Sequence, residues 1–150
     1  MSKPLKKKVV NFGVAWEGAF GYVQGIQVKD TIILSGQLSH DRDGALVAPA
    51  PLNAQGKPAS FDQMEEQIRQ TYRNAIALLA EFGATLDDVV EETLYVLDVP
   101  SAFTAGSKVR KEVYGTEQPQ CASNIIGTTQ LAFPQQLVEI TFRAVVDTDA

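Results

Sequence analysis

Cysteine and histidine are almost missing from this chain: its 150 residues hold one of each, Cys121 and His40. A single cysteine forms no internal disulfide, so a reducing cytoplasm is the expected location. One histidine and one cysteine are too few to build a zinc site from these ligands, and no metal is expected. Long apolar runs are also lacking. None approaches the roughly 20 residues of a membrane span, and the N-terminal lysines are not followed by the apolar block of a secretory signal. Positive charge is short too, with 13 Lys and Arg against 18 Asp and Glu and a net charge of −5. That balance argues against nucleic acid as a partner, because phosphate binding needs a basic face. The exception is KPLKKK at residues 3–8, read with the rest of 1–12 as a flexible or extended segment.

What the chain does contain is ordinary for a single domain spanning 1–150: 45% apolar and 21% charged residues, enough for a proper core. Residues 21–28 (GYVQGIQV) and 30–38 (DTIILSGQL) read as two strands around a tight turn at Lys29-Asp30. From His40 to Ser60 the chain is rich in Pro, Gly, Ala, Asp and Asn, the composition of a long loop. Ser60 and Gln63 have the spacing of a capping box. Met64, Ile68, Thr71, Ala75, Leu79 and Phe82 then form the stripe of an amphipathic helix, stopped by Gly83. Asp88–Val99 reads as a third strand. A second helix follows over Ala102–Tyr114, with Phe103, Val109 and Val113 expected to be buried. Asn124–Leu131 and Gln136–Val146 complete the strands.

The order ββαβαββ predicts an α+β domain, a sheet with two helices on one face. TIIL (31–34) and LYVL (94–97) are nevertheless apolar at consecutive positions, as in strands covered on both sides. Something beyond the chain must cover the second face, and a copy of itself is the simplest cover.

One carboxylate stands out. Residues 121–140 contain a single charged group, Glu139, between Val138 and Ile140 in an apparent strand, with no basic residue from Gln118 to Ala132. Read from the residues alone, it is either a half-buried structural acid or part of a site.

GYVQGIQVKDTIILSGQ (21–37), NAIALLAEFGATLDDVV (74–90) and LAFPQQLVEI (131–140) together resemble the RidA/YjgF family, formerly labelled endoribonuclease L-PSP. The resemblance runs over nearly the whole chain. It implies a chorismate-mutase-like fold, a homotrimer, and small-molecule pockets between subunits where reactive enamines and imines are hydrolysed without metal or cofactor. Carried over by motif, the catalytic carboxylate of VEI falls on Glu139. The pocket tyrosine of GYVQ falls on Tyr22, and the glycine of SGQ on Gly36, flanked by Ser35. Where active members carry a substrate-binding arginine, this chain has Ser123. Serine offers one hydroxyl in place of a charged, two-pronged clamp. Arg143, with the same strand parity as Glu139, and Lys108, Arg110 and Lys111 on the second helix are the cations available to replace it. The segment Trp16-Glu17-Gly18 resembles an arginine-free branch that includes 2-aminomuconate deaminases, and would add bulk and a second carboxylate at the pocket entrance.

Other residues have plainer readings. Trp16 and Tyr22 are also candidates for core or interface aromatics. His40 is expected to be an exposed loop histidine and Cys121 a buried inert thiol. Of Glu91 and Glu92, adjacent in a strand, one must point inward or to an interface. The functions that remain are a metal-free enamine or imine deaminase and a non-catalytic binder of a small metabolite using the same cleft.

Overall fold

The computed structural model describes residues 2–147. Six strands form one sheet: β1 (Lys8–Val10), β2 (Gly25–Val28), β3 (Thr31–Gln37), β4 (Val89–Val96), β5 (Ala122–Gly127) and β6 (Val138–Val145), in the spatial order β1-β2-β3-β6-β4-β5. Every neighbouring pair is antiparallel except β4 and β5. That parallel pair requires a crossover, and a helix supplies it. The helices are α1 (Ala15–Phe20), α2 (Met64–Glu81) and α3 (Val99–Tyr114).

The expected core of this architecture is present, with two further elements. Residues 8–10 pair with β2, from Lys8 opposite Gln27 to Val10 opposite Gly25. Residues 15–20 are helical, so the strand expected from Gly21 starts only at Gly25. Gly21 ends α1 in the left-handed region at φ 90°, where a glycine carries no Cβ penalty. The tight turn at Lys29-Asp30 is confirmed, with Val28 paired to Thr31 and Lys29 at φ 55°.

Helix α2 buries the predicted stripe, including Met64, Ile68, Thr71, Ala75 and Leu79. It does not start at Ser60. Phe61–Gln63 form a turn closed by the Met64 N–H on the Phe61 carbonyl (3.0 Å), and no side chain caps the helix. The capping box lies instead at Thr85 and Asp88, in the short 3₁₀ turn before β4. Helix α3 begins at Val99, three residues earlier than expected, because Asp98 caps it by accepting from the Ser101 N–H (3.0 Å) and Pro100 sits in its first turn. Its buried stripe is Ala102, Ala105, Gly106 and Val109. Phe103 falls off that stripe and is 64% exposed, contrary to expectation.

Alternation along β6 defines the two sheet faces. Val138, Ile140, Phe142 and Ala144 are buried in the core with α2 and α3, while Glu139, Thr141, Arg143 and Val145 point the other way. On that second face the apolar residues Ile33, Ile126 and Val145 stand exposed within the single chain. Helices α2 and α3 therefore cover one face only.

Candidate functional site

On the uncovered side, α1, β3, β6 and the loop before β6 enclose a cavity of about 500 Å³. Trp16 and Phe20 come from α1, and Tyr22 follows its C-terminus. Ser35 and Gly36 come from β3, with Leu38 just beyond, and Ala132 and Phe133 from the loop. Glu139 reaches in from β6. Five residues singled out in the sequence (Trp16, Tyr22, Ser35, Gly36 and Glu139) are thus brought together from α1 and its C-terminal end, β3 and β6.

The backbone makes room for the carboxylate. Register between β3 and β6 shifts between Leu34 and Gln37, a bulge that brings Gly36 against the Glu139 side chain. A Cβ at Gly36 would lie 2.5 Å from the Glu139 Cδ. Burial raises the Glu139 pKa above the ordinary carboxylate value, and its hydrogen bond with Gln136 only partly offsets this. The site therefore favours a carboxyl that can hold a proton.

Tyr22 is fixed from two sides. Its backbone N–H donates to the Glu17 carbonyl at the end of α1 (3.1 Å), and its hydroxyl accepts from Gln24 Nε2 (3.2 Å). Gln24 is buried and accepts in turn from Gln37 Nε2 (2.9 Å). Because the Tyr22 oxygen already accepts, its own O–H remains available to donate. Burial pushes its pKa up, opposed by the hydrogen bonds with Gln24 and Trp16 and assisted by the charges of Glu17 and Glu139. Ser35 is occupied locally, its hydroxyl donating to the Val23 carbonyl (2.7 Å).

Other expectations are corrected. Glu17 is no second carboxylate at the pocket entrance. It is buried and accepts the backbone N–H groups of Phe12 (2.9 Å) and Gly13 (3.0 Å), tying down the segment before α1. His40 is not exposed: it is 3% accessible, with Phe12 and Trp16 edge-on to its ring, so it packs behind the cavity wall. Cys121 is half-buried rather than fully buried, and burial raises its thiol pKa, as an inert thiol requires.

Two of the named substrate-binding residues lie outside this cavity within one chain. Arg143 shares the face of Glu139 but sits four residues along the strand, roughly 13 Å away, and pairs loosely with Glu91 (4.0 Å). Ser123 is on the opposite face, in β5, and donates to Glu92 Oε1 (3.0 Å). Of the two adjacent acids, Glu91 is exposed and Glu92 points inward. Four side chains hold Glu92: the hydroxyls of Tyr72 (2.8 Å) and Tyr114 (2.9 Å), Ser123, and Arg110 through Nε. Sequence reasoning missed Phe20 and Phe133 as cavity walls. The only signal for Phe20 was its place beside Gly21 in a segment assigned no element.

No group of three or more His, Cys, Asp or Glu suited to a metal ion occurs among the described residues. No helix among them is long and apolar enough to cross a membrane.

Fold and cavity together define an α+β domain of known architecture. A member of the YjgF/YER057c/UK114 family from Mycobacterium tuberculosis superposes with a TM-score of 0.74 and 25% identity, covering 94% of this chain and all of that one. The chain belongs to the endoribonuclease L-PSP family, whose sequence profile matches residues 13–146. It is 27% identical over 111 residues to the RutC family protein YjgH of Escherichia coli, covering 74% of this chain and 73% of that protein. It is also 23% identical over 125 residues to a 2-iminobutanoate/2-iminopropanoate deaminase of Dermatophagoides farinae, covering 83% and 86% respectively.

Proposed function

We propose that this protein hydrolyses a small reactive enamine or imine to the corresponding carbonyl compound and ammonia, with Glu139 as the proton-transfer group. The observation that carries this reading is the Glu139 carboxyl held against Gly36 at a cavity wall, with its protonated form favoured by burial. Imine hydrolysis needs little more. An enamine takes a proton on carbon to become the imine. Water adds to the C=N carbon, and proton transfer to nitrogen lets ammonia leave as the C=O forms. One carboxyl alternating between acid and base serves both transfers. The Tyr22 hydroxyl is available to donate to the substrate, and the space left at Gly36 holds the Glu139 carboxyl beside it.

The substrate favoured is conjugated and longer than a three-carbon imino acid, of the 2-aminomuconate type. Three aromatic walls, Trp16, Phe20 and Phe133, around about 500 Å³ support that choice. Ammonia release should be measured with 2-aminomuconate and with 2-aminoacrylate generated in situ. Faster turnover of the former is expected, and no release from either would remove the proposed substrates.

A second reading, binding without chemistry, is favoured by one feature: the cavity wall is aromatic and apolar around a single carboxyl. Saturable binding of 2-aminomuconate without ammonia release would support it.

We also propose that the working form is a homotrimer. Ile33, Ile126 and Val145 exposed on the bare face support association through that face, and Glu139 lies on the same side, so a neighbouring subunit would border the cavity. Sedimentation should give three times the 16.3 kDa chain mass. A stable monomer would contradict both the trimer and an interfacial site.

A further inference from the structure

We propose that the cleft between α3 and β5 is a second binding site, for a short aliphatic carboxylate held by Arg110. The cleft has a volume of about 340 Å³ and lies on the helix side of the sheet, away from Glu139. Phe103, Gly106, Ser107 and Arg110 of α3 line it, with Ser123 and Ile125 of β5.

Its one charged group is preset. Glu92, whose side chain has no exposed surface, takes Arg110 through Nε, and the guanidinium lies over the Tyr114 ring, 5.5 Å from its centroid. A guanidinium carries five N–H donors. Glu92 engages the one on Nε, and the remaining donors are on the Nη groups. The Arg110 side chain keeps 19% of its surface exposed there.

Pairing with Glu92 does not cancel this donor edge. Three neutral hydroxyls, those of Tyr72, Tyr114 and Ser123, share the Glu92 charge, and the carboxylate lies on the buried side. Arg110 is the one charged residue among the cleft walls, and no Asp or Glu lines them. A planar guanidinium fixed in orientation suits the two oxygens of a carboxylate. One cation calls for a monoanion. The apolar flank formed by Ile125 and the exposed Phe103 ring calls for a hydrocarbon tail. This inference does not rest on the deaminase reading.

The test is a titration of the full-length protein with propanoate, at constant ionic strength, followed by NMR on the Arg110 Nε–H and the Ser107, Ser123 and Ile125 amides. Saturable shifts confined to these signals are expected, with no matching response to chloride. Ser107→Trp, which fills the cleft without touching the Glu92 pair, should weaken binding about tenfold or more. Arg110→Lys, which keeps the charge but loses the planar fork, should weaken it by a similar factor. Glu139→Gln should leave it unchanged. Non-saturating shifts, an equal response to chloride, or undiminished binding in Ser107→Trp would each overturn the proposal.

Discussion

Gly36 and Glu139 fit each other: no side chain can occupy position 36 while the Glu139 carboxyl keeps its place, because a Cβ there would sit 2.5 Å from Cδ. The bulge in β3 creates this contact, and β6 delivers the carboxyl into it. Gly36→Ala is therefore expected to push Glu139 off its position. The atoms in the way are the end of a flexible side chain beside a cavity, so the urea midpoint should change little while ammonia release falls. Unchanged activity would show that the displaced carboxyl still serves the reaction.

The raised pKa of Glu139 makes a statement about stability. A carboxyl whose folded value lies above its unfolded one contributes stability that is fully present below the unfolded pKa and is lost as pH rises through the folded one. Glu139→Gln removes that dependence. The variant should match the wild type in acid and become progressively more stable than it as pH climbs above the ordinary 4.5. Melting temperatures across pH 4 to 8, roughly the span of that linkage, would reveal the trend. The opposite slope would mean that Glu139 is stabilised as a carboxylate.

Tyr22→Phe deletes the hydroxyl that Gln24 orients. One neutral hydrogen bond is worth about 0.5–1.5 kcal/mol, so kcat/KM should fall by roughly 3- to 10-fold. A KM-only effect would assign the hydroxyl to substrate binding, and no effect would leave Tyr22 as an aromatic wall.

Glu92→Gln tests the buried cluster on the far side of the sheet. It strands the Arg110 charge and turns an amide toward hydroxyls that now donate to a carboxylate. Breaking a buried pair on one side costs about 3–5 kcal/mol, a large share of a typical domain's stability. A shift in the urea midpoint smaller than that of a surface substitution would mean that the cluster is not coupled to folding.

The long helix was the most legible element because its six apolar positions hold one periodicity over five turns, and α2 buries that stripe. Its start was misplaced because Ser60 and Gln63 carry the residue types of a capping box without its geometry. Strand β1 has three residues and α1 six, too short for a period to register. Gly21 was taken for the start of a strand when it ends a helix. Glu139, Gly36 and Tyr22 could be named as cavity residues because the VEI, SGQ and GYVQ motifs carry the family resemblance. Phe133 lay inside the quoted LAFPQQLVEI segment but was not singled out, and Glu17 was misjudged because its partners are backbone N–H groups, which a sequence does not distinguish. His40 lies in a polar loop, and its burial depends on Phe12 and Trp16, from a segment more than 20 positions earlier.

The most direct measurement is kcat/KM for ammonia release from 2-aminomuconate, compared between the wild type and Glu139→Gln. Glutamine keeps the shape and hydrogen bonding of the side chain but cannot relay a proton. General acid–base catalysis contributes about 10²- to 10⁴-fold, and a loss of that size in a folded variant is the result predicted. Equal rates in the two proteins would contradict the assignment of proton transfer to Glu139.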